Sequence, residues 1–509
     1  MKNKFIRKWL VILTVAAMMI PAGIPANAET VEEGENIAPT AGISAETPNV
    51  TAETQKEEIS AEMPDMTAET QNEEKSDVQA EGQNQAKQGV LEAVRQNTEK
   101  AEEASDAVDV QAEERTAGEV QIGEQIYPTL TEAFAAAKDG DVLRLLENAE
   151  VSQPILLTKN VTLDTNGFTV SAAAGFKGNF MFTNRGTFNI VGSGKIDGSV
   201  GTYPLIMINN TGGAVLNIQS SEITGQGVVQ NVGGIVNITG GTLTASARNT
   251  VLSQFGEVHI GASAHLMAAG EGKSAVQLIG AKMTLSGDAV LSGNGGIDVF
   301  NSNRNEEGTV SAQVEITGGR IETKDFPVSG NNQESAGAEV AITGGSLKNI
   351  SGGTAIYWPM EGQLTIGGNA VIEGGTGIEA KMGTITIKDN AVITGSGEWK
   401  EEKPQNGGAN PEGSAFLGSA QMYDGCINDS SLVVNILGGT LKSVNGNAVT
   451  IYNTEEKSDV RADISVTGGS LQPAAGKGAV KVITSGDNTT RFDPDKKCRF
   501  VKHMLHPDQ

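Results

Sequence analysis

The stretch VNITGGTL, Val236 to Leu243, decides how this chain is read, because near-copies follow it: VEITGGRI from Val314, VAITGGSL from Val340, VNILGGTL from Val434 and ISVTGGSL from Ile464. The shared form is apolar-x-apolar-x-Gly-Gly-x-apolar. Alternation of this kind describes a short strand with one buried face. With degenerate relatives included, the second apolar position falls at Ile190, Ile218, Ile238, Ile260, Leu285, Ile316, Ile342, Ile366, Ile387, Ile436 and Val466. The steps between these markers run from 20 to 31 residues, apart from one of 49 between Ile387 and Ile436. Strands this short pair only with their counterparts in the next turn, so the spacing predicts an all-β solenoid of about 11 to 13 coils. The long step is expected to hold an insertion and one degenerate coil.

The glycines turn a corner of the coil, where a positive φ and close stacking both favour a missing Cβ. The replacements GDA (287–289), GNA (368–370) and DNA (389–391) keep residues that tolerate such turns. A phosphate-binding loop requires a following helix, and none is visible. The phrase is therefore scaffold.

Composition sets the class of partner. The 509 residues carry a net charge of −25, 64 glycines and only 4% aromatics, unlike a helical bundle or an α/β enzyme. An acidic chain repels phosphate backbones, so no nucleic-acid partner is expected. Residues 1–28 combine Lys2, Lys4, Arg7 and Lys8 with the apolar run WLVILTVAAMMI and the ending Ala26-Asn27-Ala28, which reads as a secretory signal cut before Glu29. The expected location is extracellular, secreted or on the cell surface, with no transmembrane segment in the mature chain. Residues 29–117 hold 23 acidic and 6 basic residues and no Phe, Tyr or Trp, the composition of a disordered spacer. Within it SAETPNVTAETQKEEI from Ser44 repeats as SAEMPDMTAETQNEEK from Ser60. Export would permit a disulfide between Cys426 and Cys498, but their separation carries no spacing signature, which leaves pairing and free thiols both open.

The solenoid is expected over residues 118–485. It opens with IYPTLTEAFAAAKDGDVLRLLENAEV, in which Thr129 or Thr131 is an N-cap, Leu130, Ala133, Phe134 and Ala137 form an apolar stripe, and Gly140 follows the helix end. Residues 486–509 break the pattern and read as an irregular tail. No sortase-type signal follows, which leaves release and a lost wall anchor both open.

These features together resemble the right-handed parallel β-helix of the pectate lyase-like superfamily, with the YPTLTEAFAAAKDGDVLRLLEN segment similar to that family's N-terminal capping helix. More narrowly, the acidic spacer and ITGG-type coils resemble the non-catalytic adhesive β-helices on surface proteins of anaerobic Gram-positive bacteria. The resemblance implies a fold; the superfamily hosts lyases, hydrolases, esterases and adhesins, so it does not fix a function. It also implies an inner polar stack, for which Asn184, Asn209, Asn231, Asn301 and Asn453 are the counterparts here.

Reacting groups of an enzyme of this fold would share an outward face. Alternation places Gln230, Leu252, Gln277, Asp298, Tyr357, Glu379 and Thr450 in one outward column, and Val232, Gln254, Ile279, Phe300, Pro359, Lys381 and Tyr452 in the next. Asp298 and Glu379 stand three turns apart, about 14 Å at roughly 4.8 Å per turn. Paired glycosidase carboxylates sit about 5 to 9.5 Å apart. Glu379 with Lys381 reads as a solvated ion pair, and one carboxylate is a poor calcium site. His259 and His265 lack further ligands, and His259 is expected to be exposed without a partner. No catalytic set, metal site or cofactor is therefore assigned. The expected ligand-binding residues are Gln277, Asp298, Phe300, Tyr357, Glu379, Lys381 and Tyr452, facing a glycan or host glycoprotein. A polysaccharide lyase or glycoside hydrolase is the alternative, to be recognised by clustered carboxylates beside a Lys or Arg.

Overall fold

The structure, a computed structural model, describes residues 118–199, 204–300, 310–330, 338–401, 409–410, 412–420, 431–453 and 461–484, with the backbone of 489–494. The expected signal and spacer, Asn301, both cysteines, His503 and His506 lie outside the described residues.

One turn sets the pattern. Val229–Val232 lies in sheet C, Ile235–Ile238 in sheet A and Thr242–Ala245 in sheet B, and Val251–Gln254 returns to sheet C one turn on. Each strand pairs in parallel with its counterparts before and after, as Ile235–Ile238 does with Val215–Ile218 and Glu257–Ile260. Among the described residues sheet A has 16 strands and sheets B and C have 13 each, so these residues form a parallel β-helix of 13 turns. The antiparallel pairs, among the described residues, are at its start, where Val120–Ile122 meets Gln125–Tyr127 and Val142–Leu145.

The core follows from the alternation. Ile218, Ile238 and Ile260 are direct register partners, and the column continues through Ile316, Ile366 and Ile436 to Val466. Every marker residue named from the sequence is buried in it. The two glycines of the phrase do overlapping work. A Cβ on Gly240 would stand 2.3 Å from the Gln219 carbonyl one turn below, whereas Gly241 adopts φ +81°. Both permit close stacking, since a Cβ on Gly241 would stand 2.3 Å from the Ser221 carbonyl, and the second also makes the corner.

A second inner device is polar. Asn184 Nδ2 donates to Asn210 Oδ1 (2.8 Å), Asn210 Nδ2 to Asn231 Oδ1 (2.9 Å) and Asn231 Nδ2 to Ser253 Oγ (3.0 Å), with all four side chains buried. Asn210 takes the place expected of Asn209, which instead pairs with Thr183 and Gln230 on the outward column. Asn453 is buried but stands two residues beyond Ile451, the residue that continues the inner column.

At the N-terminal end a helix, α1, spans Leu130–Ala136. Thr129, not Thr131, caps it: Thr129 Oγ1 accepts the Glu132 N–H at 3.2 Å. Leu130, Ala133 and Phe134 are buried, and the Phe134 ring meets Phe182 and Phe188 edge-on at 5.9 and 6.0 Å. Among the described residues no helix is long and apolar enough to cross a membrane.

Two expectations are corrected. Ile387 pairs directly with Ile436, so the long step contains no additional coil, and its sheet C strand is Phe416–Ser419. The helix also runs beyond residue 485, because Thr489–Pro494 pairs in parallel with Arg461–Val466.

Candidate functional site

The outward column expected on sheet C is a true register column. Gln230, Leu252, Gln277 and Asp298 are successive partners, and Ser329, Tyr357, Glu379, Leu417 and Thr450 continue the row. Ser329 and Leu417 are the members that the sequence reading omitted. Asp298 and Glu379 are three register steps apart, in agreement with the spacing expected.

Burial divides this face into two parts. Leu252, Gln254, Gln277, Ile279, Asp298 and Phe300 are partly exposed. From Ser329 onward the same columns are covered: Tyr357, Pro359, Leu417, Thr450 and Tyr452 are buried, and Glu379 and Lys381 have 0% exposure. Tyr357, Glu379, Lys381 and Tyr452 are thus correctly placed on the outward columns but are not on the surface.

Loops supply the cover. Phe326 stacks on Tyr357 with ring centroids 5.1 Å apart and planes at 22°. The long insertion lays Asn410 and Glu412 over the next turns: the Asn410 backbone N–H donates to Glu379 Oε2 at 2.7 Å, and the Glu412 N–H to Thr376 Oγ1 at 2.9 Å. Asn445 Nδ2 donates to the carbonyls of Ser396 and Gly397, and Lys477 sits 4.5 Å from the Trp399 ring centroid, which fastens the insertion's first residues.

Beneath this cover lies a charged cluster. Lys381 Nζ is 3.9 Å from Glu379 Oε1 and 5.4 Å from the Tyr357 ring centroid. The solvated pair expected from sequence is instead fully desolvated, a state in which removing one partner costs far more than an exposed pair contributes. Burial pushes the Glu379 carboxyl up to about 7, against the pull of Lys381 and the Asn410 N–H, with Glu412 adding to the rise. Burial lowers Lys381 from its ordinary value, and Glu379 opposes that. Glu412 is likewise pushed up to about 7 by burial, opposed by hydrogen bonds from Ser414, Thr450 and Tyr452. Ser414 Oγ donates to Glu412 Oε1 and lies 2.8 Å from Thr450 Oγ1, while Tyr452 OH donates to Glu412 Oε2 at 3.4 Å. Sequence reasoning missed Glu412 because it sits in the aperiodic insertion, whose unusual length was the available signal.

The remaining polar candidates have partners. Asp298 accepts from Ser274 Oγ at 2.6 Å and from Ser329 Oγ at 2.5 Å, and burial raises its carboxyl above the ordinary carboxylate range. Gln277 Oε1 accepts from Asn249 Nδ2 at 2.9 Å. His259 is not unpartnered: its Nδ1 is 2.9 Å from Thr284 Oγ1 and its Nε2 is 3.6 Å from Glu257 Oε2. His265 Nε2 is 2.9 Å from Ser292 Oγ. A scan against protein-family models and searches of the curated proteins and of the solved structures found no match. The functional reading therefore rests on the chain's own residues.

Proposed function

We propose that this chain is an extracellular, non-enzymatic β-helix that binds glycans, free or on host glycoproteins, along the open part of sheet C. The carrying observation is the chemistry of the partly exposed columns, in which Leu252, Ile279 and Phe300 are interspersed with Gln254, Gln277 and Asp298. A sugar ring has apolar C–H faces and a rim of hydroxyls, so a surface mixing apolar and amide side chains suits it. The signal at residues 1–28 would export the chain, the acidic spacer would project it, and α1 would cap the helix as in the pectate lyase-like proteins it resembles. A glycan array probed with the full chain tests the reading; absence of binding to every glycan contradicts it.

A second reading, a polysaccharide lyase or glycoside hydrolase, is favoured by one observation. Glu379, Glu412 and Lys381 form the clustered carboxylates and lysine that such chemistry uses, and both carboxyls are held near 7, suited to proton transfer. Substrate would reach them only after the insertion lifts. Release of unsaturated or reducing ends from polygalacturonate or mucin glycans, abolished by Glu379→Ala, supports this reading over the first.

A further inference from the structure

At the corner where sheet C passes into sheet A, successive turns place Gly212, Gly233, Phe255 and Gly280 in equivalent positions. Their φ angles are +69°, +69°, +56° and +56°. The equivalence is fixed by hydrogen bonding as well as by register: the N–H groups of Gly212, Gly233, Phe255 and Gly280 donate to the carbonyls of Val232, Gln254, Ile279 and Phe300, each one turn on. Three turns answer the left-handed conformation with glycine. The fourth answers it with phenylalanine, a residue that is 48% exposed.

A bulky residue in this conformation is strained, glycine would relieve the strain, and a residue with about half its surface in water recovers little of that cost by burial. Fold stability therefore does not account for Phe255. Strain of this kind, held on a rigid scaffold and directed to solvent, marks a place where the side chain itself is used.

The neighbourhood indicates the use. Gln254 precedes Phe255 in the chain, and Ile279 and Phe300 follow Gln254 in register. Phe300 thus stands two strand spacings from Gln254, roughly 10 Å along the axis. Val232 and Gln254 are register partners on the other side. Phe255 at the corner and Val232, Gln254, Ile279 and Phe300 on the neighbouring column are all partly exposed, and none of the five is ionised. A chain of net charge −25 disfavours acidic polymers there.

We propose that Phe255 and Phe300 are the aromatic platforms of a binding site for a neutral oligosaccharide lying along the helix axis, with Gln254 offering its amide to the hydroxyls. The site rests on the glycan-binding reading and locates it on two rings rather than along the whole face.

The test compares Phe255→Gly, Phe255→Tyr and Phe300→Ala in the full chain, by binding to arrayed neutral mucin O-glycans and neutral plant polysaccharides, thermal melting and sedimentation. Phe255→Gly is expected to lower affinity at least tenfold while its melting temperature stays level or rises; Phe255→Tyr keeps binding, and Phe300→Ala weakens it. Binding by the parent chain that Phe255→Gly leaves unchanged overturns this site but not the broader reading. Failure of the parent chain to bind any arrayed glycan overturns both. A marked fall in melting temperature for Phe255→Gly shows a packing role, and a change in oligomeric state without a change in glycan binding shows a self-association face; either result also overturns the site.

Discussion

Lys381 Nζ lies 3.9 Å from Glu379 Oε1, and neither side chain is exposed to solvent. Glu379 sits on the strand Thr376–Ala380 and Lys381 just beyond its end, where the alternating pattern alone would leave both in water. Their burial comes from an insertion that crosses over them, and this has a measurable consequence for pH.

Glu379 and Glu412 both have folded values of about 7, above the ordinary 4.5. The folded state therefore holds these protons more tightly than the unfolded chain does. The stabilisation is complete below about 4.5 and is lost as pH rises through 7. Lys381, lowered on folding, acts in the opposite sense on the alkaline side. The melting temperature should be lower at pH 8 than at pH 5.5, and Glu379→Gln with Glu412→Gln should flatten the difference. A melting temperature that rises over this range, or a double variant with the parent's pH profile, counts against the buried cluster.

Ile238→Asp tests the inward column. Ile238 is fully buried between Ile218 and Ile260, so a carboxylate there has no partner and no water. The expected cost is about 3 to 5 kcal/mol by denaturant unfolding. An unchanged midpoint would refute the inward assignment.

Two glycines separate strain from collision. Gly233 has φ +69° and nothing within 4 Å of a built Cβ, so Gly233→Ala should cost only about 1 to 2 kcal/mol. Gly241 has φ +81° and would place its Cβ 2.3 Å from the Ser221 carbonyl. Gly241→Ala should therefore cost roughly 3 kcal/mol or more, because backbone must also move. Equal costs for the two would contradict the close stacking of turns.

Asn210→Ala breaks the inner amide ladder in its middle. It removes the acceptor of Asn184 and the donor to Asn231 and leaves buried polar atoms without partners. A loss of roughly 2 to 5 kcal/mol is expected, whereas Asn209→Ala, on the outward column, should cost much less.

The solenoid was legible because its signal is periodic. Every marker from Ile190 to Val466 repeats a short apolar phrase, and counting from it located both outward columns in register. What stayed hidden is what periodicity does not encode. Asn209 and Asn210 are adjacent, and a shift of one residue reverses the face, so the wrong member of the pair was placed in the stack. Glu412 belongs to no repeat, and the depth to which Glu379 is covered depends on loops that follow no period. Phe255 was readable in principle: QFGE stands where neighbouring turns have VGGI and IGAK.

The proposed ligand face is the open part of sheet C and not the covered cluster. The most direct measurement is biolayer interferometry of the full chain on immobilised neutral mucin O-glycans, comparing the parent with Gln277→Arg/Ile279→Arg on the open columns and with Glu379→Gln beneath the insertion. Saturable binding that the arginine pair abolishes at unchanged melting temperature, and that Glu379→Gln retains, is the result predicted. Binding indifferent to the arginine pair, or glycan release that depends on Glu379, would contradict it.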